Sequence, residues 1–357
     1  MNKVTQWIKP AIRAMQAYRV PDAGDFIKLD AMENPYNWPG TLKRAWLTEL
    51  ESVPMNRYPD AGASVVKERL REVMAIPDDT GLLLGNGSDE LIQMIAMAVA
   101  QPGRCLLTAE PGFVMYRLIA HSVGIDYCGV PLEASGFSLD KDAMLSAIEE
   151  KQPAVVFLAS PNNPTGNLFD KMSVLDIVRT APGLVIIDEA YHAFAGETYL
   201  PHVVDFDNLL IMRTLSKSGL AGLRLGYLTG PGEWLDELEK IRLPYNINAL
   251  TQLTVSFMLK HQEVLAEQIG RICEERERLY RELAAHEPLQ VWPSRANFLL
   301  FRVDDQPADV IHSGLKERGI LIKNLHGSHP LLENCLRVTV GTEEENGQFI
   351  AALENLI

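Results

Sequence analysis

Between about residue 80 and residue 230 the sequence repeats one arrangement: a short run of Val, Ile and Leu, then a helical pattern, then another short run. The runs are GLLLGN, RCLLTAEP, IDYCGVPL, AVVFLASP, GLVIIDEA, NLLIMRTLSK and RLGYLTG. A run that is apolar on both faces is buried on both faces, and such strands, separated by helices, form a parallel sheet between helical layers. This feature predicts an α/β architecture, a mostly parallel sheet flanked by helices. From about Glu233 the texture changes to long helical periodicity, broken near Pro244. Strand-like NFLLFRV, ILIKN and LRVTVGT follow, with helix-like ADVIHSGLKERG among them, and these predict a second, smaller α/β unit. We expect a large domain over 30–245 and a small C-terminal domain over 246–357. The segment 1–29 is too short to fold alone, and we expect it to pack near the small domain and the active site.

Composition enters as a set of exclusions. With 47% hydrophobic and 22% charged residues the chain is of the ordinary globular class. A net charge of -14 offers no long-range attraction to nucleic acid or to an anionic membrane, so an anionic small molecule needs a local cluster of Arg and Lys. Cys105, Cys128, Cys273 and Cys335 lie far apart without CxxC spacing, which disfavours a zinc site and a disulfide framework and fits a reducing cytoplasm. The N-terminus shows no cleavable signal pattern, and no apolar window approaches the length of a bilayer span. No metal, nucleic acid or membrane is expected as a partner.

Open α/β sheets bind ligands beyond the carboxyl ends of their strands. Three consecutive runs end on residues with chemistry to offer. AVVFLA leads into Ser160-Pro161-Asn162-Asn163-Pro164-Thr165-Gly166, LVII into Asp188-Glu189-Ala190-Tyr191, and LLIMRT into Leu215-Ser216-Lys217. If these strands are neighbours, Asn163, Asp188, Tyr191 and Lys217 converge on one crevice. A lysine there can condense with an aldehyde, and a buried carboxylate can keep a pyridine nitrogen protonated, the two demands of pyridoxal 5'-phosphate. Asn163 and Tyr191 suit the ring's phenolic oxygen. For the phosphate, GNGSDE precedes the apolar helix LIQMIAMAVA and offers the amides of Ser88 and Asp89 at a helix N-terminus. Ser216 and Arg224 add a hydroxyl and a bidentate guanidinium. Each motif alone has a plainer reading: a turn for SPNNPTG, a helix cap for Asp188, a solvated lysine for Lys217, a bare helix start for GNGSDE. Their joint occurrence, in order on consecutive strands, argues for the cofactor.

Through SPNNPTG, DEAY and TLSKSGLAGLRLGY in that order, the chain resembles the fold-type I pyridoxal-phosphate enzymes, the aspartate aminotransferase superfamily, over nearly its whole length. IKLDAMENPY, NRYPD, GNGSDE, PGFVMY, ANFLLFR and CLRVTVGT make it most similar, within that superfamily, to the histidinol-phosphate aminotransferases. The resemblance implies that Lys217 is the catalytic residue, joined to the cofactor aldehyde, and that Asp188 pairs with the pyridine nitrogen. It implies that Asn163 and Tyr191 contact the phenolic oxygen and that Phe113 stacks on the ring where many relatives carry tyrosine. Tyr58 then reaches the phosphate in the neighbouring subunit, so a homodimer is implied. Arg337 clamps the anionic end of the substrate, with Asn163 beside it, and Tyr18 adds a phosphate contact. Lys323 stands where some relatives have arginine; it keeps the charge and loses the fork. The implied reaction transfers an amino group between L-glutamate/2-oxoglutarate and imidazole-acetol phosphate/L-histidinol phosphate, in histidine biosynthesis. An aromatic amino-acid aminotransferase and a phosphothreonine decarboxylase on the same scaffold stay open, because their substrates meet similar aromatic and cationic walls. So does a cofactor-sensing binding module.

Overall fold

The computed structural model describes residues 2–17 and 22–357. Seven strands form the larger sheet, in the spatial order Gly81–Asn86, Leu225–Gly230, Leu209–Thr214, Leu184–Asp188, Val155–Ala159, Cys105–Glu110 and Asp126–Pro131. The last five are parallel to one another. Along the central strands, side chains alternate between two apolar cores: Val155, Phe157 and Ile186 face Leu91, Ile92 and Ile95 of the helix Ser88–Val99, while Val156, Leu158 and Ile187 face the opposite layer. Every position of Val155–Ala159 and Leu184–Asp188 is therefore buried, as the unbroken apolar runs require.

One strand departs from the parallel reading of the runs. Leu225–Gly230 is antiparallel to both Leu209–Thr214 and Gly81–Asn86. A parallel return needs a crossover of about a dozen residues or more, and residues 215–224 are instead spent on a compact turn that sends the chain straight back. A glycine explains how close this return lies to the next element: a Cβ on Gly226 would stand 2.7 Å from the Ser88 amide nitrogen.

The second sheet is antiparallel, in the order Lys323–Asn324, Cys335–Thr339, Phe298–Val303, Leu289–Val291. Leu279, Ile311, Leu315, Phe349 and Leu353 of the surrounding helices complete its core. ILIKN, which reads as one strand, changes partner at Ile322: Ile320–Leu321 pairs in parallel with Ile27–Lys28, and Lys323–Asn324 pairs with Cys335–Thr339. The chain from Ile27 onward then crosses toward the larger sheet. Leu29 N–H donates to Leu321 O at 2.8 Å, and Leu29 O accepts from Thr339 N–H at 2.8 Å. Met32 N–H donates to Thr339 Oγ1 at 2.9 Å, and Met32 O accepts from Asn297 Nδ2 at 3.0 Å. These bonds hold Met32 at φ 55, an uncommon backbone conformation for a residue with a side chain.

Candidate active site

Strand register brings the three motifs together. Ala159 lies opposite Asp188, and Asp188 opposite Met212, so the loops that follow open at the same edge of the sheet. After Thr214 the chain makes one wide helical turn, Ser216–Leu220. Gly219 has φ 119 there, and a Cβ would stand 2.9 Å from Asn34 Nδ2. The turn aims Lys217 into the crevice, where Nζ donates to Ala31 O at 3.2 Å and lies 6.0 Å from the centroid of the Tyr191 ring. Burial, and then the positive charge of Arg337, bring its ammonium down to about 8. Part of Lys217 is thus the neutral, nucleophilic amine near neutral pH.

Asp188 closes the deep end and is 4% exposed. Its Oδ1 accepts from Ala190 N–H at 3.0 Å and its Oδ2 from the Tyr116 hydroxyl at 2.7 Å. Burial pushes this carboxyl up to about 6, against the pull of the two hydrogen bonds. Asn163 bridges to the other side of the crevice: its Nδ2 donates to Tyr191 Oη at 3.0 Å, and its Oδ1 accepts from Arg337 Nη1 at 2.5 Å. Arg337 also donates through Nη2 to Asp30 O at 3.1 Å, with its guanidinium 5.2 Å from the Phe298 ring centroid.

At the shallow end, Gly87 at φ 86 turns the chain into the helix Ser88–Val99, so Ser88 and Asp89 head that helix. A Cβ on Gly87 would fall 2.5 Å from Arg224 Nη2, so only glycine lets the guanidinium lie there. Arg224 reaches Ser216 Oγ and Asp89 Oδ2, each at 3.5 Å. Ser88, Asp89, Ser216, Arg224, Phe113, Asp188 and Lys217 all line this one crevice. A second cavity of about 310 Å³ adjoins it across Met32, Phe113 and Asn163. Its walls include Arg337 and Lys323, which the register of their strands sets directly opposite one another. Burial, then the charge of Arg337, lower the Lys323 ammonium from its ordinary value.

One residue singled out in the sequence stands apart. Tyr58 lies outside both cavities, 79% exposed and stacked on Tyr245 at 4.4 Å between ring centroids. Tyr18 lies outside the described residues. Conversely, Tyr116, Met32 and the carbonyls of Asp30 and Ala31 meet the site without having been singled out. For Tyr116 the sequence holds a faint signal, a tyrosine in the first turn of a helix that begins directly after Phe113.

Residues 24–353 match the family model for aminotransferase class I and II. The chain belongs to that family. It is 56% identical to a histidinol-phosphate aminotransferase 2 of Nitrosococcus oceani, over 99% of this chain and 98% of the relative. It is 51% identical to the histidinol-phosphate aminotransferase of Chromobacterium violaceum, over 98% of each. Among solved structures, the histidinol-phosphate aminotransferase of Sinorhizobium meliloti in complex with pyridoxal-5'-phosphate superposes with a TM-score of 0.87 at 24% identity, over 98% of this chain and 97% of that one. The resemblance and the fold class read from the sequence are both borne out.

Enzymes of this aminotransferase family use pyridoxal 5'-phosphate, and the crevice fits that group. It has a buried carboxylate at one end and a partly neutral amine in its wall. At its other end is a cradle of helix amides, hydroxyl and guanidinium that a side chain on Gly87 would fill. Among the described residues no cluster of metal ligands is found, and no helix is long and apolar enough to cross a membrane.

Proposed function

We propose that this chain is a histidinol-phosphate aminotransferase that moves an amino group between L-glutamate and imidazole-acetol phosphate. The observation that carries the reading is the pair Arg337 and Lys323, set opposite one another on adjacent strands where the cofactor crevice opens into the second cavity. A planar guanidinium suits both a carboxylate and a phosphate, so one clamp serves glutamate in one half-reaction and histidinol phosphate in the other. The names of the relatives support the same substrate.

Bound pyridoxal phosphate supplies an electron sink that stabilises negative charge developing at the substrate's α-carbon. Lys217 Nζ would take up and hold the proton from that carbon, a role that needs an amine partly neutral near pH 7. Asp188, held by Tyr116 and Ala190, keeps a proton on the pyridine nitrogen. Tyr191 and Asn163 present their polar ends to the phenolic oxygen, and Arg337, bonded to Asn163, links that contact to the substrate's anionic end. Phe113 covers the ring face. Ser88, Asp89, Ser216 and Arg224 hold the phosphate. In this reading residues 30–245 form the cofactor-binding domain and 246–357 the small domain. The enzyme works as a cytoplasmic homodimer in which the exposed Tyr58 enters the neighbour's site.

The test is a single-turnover panel on the cofactor-loaded protein with L-histidinol phosphate, histidinol, phenylalanine and phosphothreonine. Conversion of the cofactor to its amine form should be fast with histidinol phosphate and far slower with histidinol. Preference for phenylalanine would move the assignment to aromatic transamination, and carbon dioxide released from phosphothreonine would make the chain a decarboxylase. Cofactor binding without turnover would leave only a sensing module.

A further inference from the structure

Tyr116 stands in the first turn of the helix Val114–Val123 and is 1% exposed. Its hydroxyl donates to Asp188 Oδ2 at 2.7 Å. Its ring stacks on Phe157, with 4.8 Å between centroids and 27° between planes, and meets Phe113 edge-on at 5.5 Å and 87°. Phe157 belongs to the strand Val155–Ala159, next to the strand that ends in Asp188. One buried side chain thus touches the carboxylate at the deep end of the crevice and the aromatic residue on its wall, and is anchored to the sheet beneath both.

We propose that Tyr116 is a positioning residue for the cofactor ring, fixing the Asp188 carboxylate in its ionised form and in one orientation while bracing Phe113. The proposal rests on the reading that Asp188 faces the pyridine nitrogen. With Oδ1 committed to the Ala190 amide and Oδ2 to the tyrosine, the carboxylate has no freedom to rotate. A phenol that donates to an anion favours the anion, and here that bond opposes the burial that drives Asp188 toward neutrality. The Tyr116 hydroxyl keeps its own proton, because burial and the neighbouring carboxylate raise it well above the ordinary phenol range. The other groups facing Asp188 are Asp89 from the helix Ser88–Val99, Glu189 and Tyr191 beyond its own strand, and Lys217 across the crevice. The two acidic ones act against ionisation, and the tyrosine and the Ala190 amide act for it.

The experiment measures the affinity of cofactor-free protein for pyridoxal phosphate from pH 5 to 8, with no amino donor present, so its outcome does not depend on which substrate the enzyme takes. In wild type the affinity falls as Asp188 and Lys217 are protonated; the Lys217 contribution is common to all the variants, so a difference in midpoint between them reports on Asp188. Tyr116→Phe should move the midpoint of that fall upward by roughly one pH unit and weaken binding at neutral pH by about tenfold, the scale of one hydrogen bond to a charged group. Phe157→Leu disturbs the stack and keeps the hydroxyl; it should lower the melting temperature and leave the midpoint in place. An unchanged midpoint in Tyr116→Phe overturns the proposal. So does an equal shift in Phe157→Leu, which would reduce the role of Tyr116 to packing. If Tyr116→Phe does not fold, 3,5-difluorotyrosine placed at position 116 keeps ring and hydroxyl and is a stronger donor. It should move the midpoint downward, and an unmoved midpoint there overturns the proposal equally.

Discussion

At the deep end of the crevice, Asp188, Tyr116, Asn163 and Tyr191 are each less than a tenth exposed, and their polar atoms are bonded to one another, to Arg337 or to the backbone. At the shallow end, where we propose that the phosphate binds, the side chains of Arg224 and Asp89 are about half exposed, at 48% and 44%, and Arg224 meets its partners only at 3.5 Å. The first end is finished by the chain's own core and positions its groups before any ligand arrives. The second is a set of charges near the surface whose arrangement is completed by what binds there. Preorganisation of this kind belongs where charge must be controlled during reaction, and looser holding suffices where an anion is merely anchored.

The contrast can be broken by substitution. The largest effect should come from Lys217→Ala, which removes the proton carrier: turnover should drop on the order of 10⁴-fold while the protein still binds cofactor without a covalent link. Ordinary turnover by that variant ends the mechanism. Arg337→Gln removes a buried charge and strips Asn163 Oδ1 of its donor, and we expect KM for histidinol phosphate to rise by about two orders of magnitude. An unchanged KM would remove the clamp from the account. Tyr58→Ala should weaken cofactor binding about tenfold, a loss confined to the phosphate end. Hybrid dimers of Tyr58→Ala with Lys217→Ala subunits contain one site with both residues intact, so mixing two poor enzymes should restore activity; no recovery would refute the exchange of Tyr58.

A pH experiment probes the amine between the two ends. Because the Lys217 ammonium is lowered to about 8, the reactive neutral form grows as pH rises. The rate at which cofactor-free protein captures pyridoxal phosphate at saturating cofactor should climb between pH 7 and 8 and level off above about 9. A climb that continues toward pH 10 would mean that the lysine behaves as one in water. Lys323→Arg should give the smallest change, a few-fold lower KM for histidinol phosphate with kcat unaltered, since it adds a fork to a charge already present.

Residues at strand ends were the legible part of the site. A strand buried on both faces has one place for polar chemistry, its carboxyl end, and the register of three neighbours then makes Asn163, Asp188 and Lys217 converge. The reversed strand Leu225–Gly230 was not legible, because its apolar run looks the same in either direction and only the short connection betrays it. Tyr116 reads as core, and it is core; its hydroxyl acquires a partner only when the helix Val114–Val123 is docked on the sheet. Met32 carries no mark of its φ of 55, which is imposed by Thr339 and Asn297 from the far end of the sequence. For Tyr58 the structure shows an exposed ring stacked on Tyr245, and the role proposed for it in a neighbouring subunit was read from the resemblance alone.

The crossing of Leu29–Met32 over the site also bears on synthesis. The residues that hold this segment, Leu321, Thr339 and Asn297, leave the ribosome long after it does, and the carbonyls that meet Lys217 and Arg337 wait for them. The larger sheet can pair as it emerges, yet its crevice stays unroofed until nearly the last strand is made. Completion of the site, its roof and the Arg337 contact together, is thereby deferred to chains whose translation is almost complete, and a product ending before Asn297 would lack both.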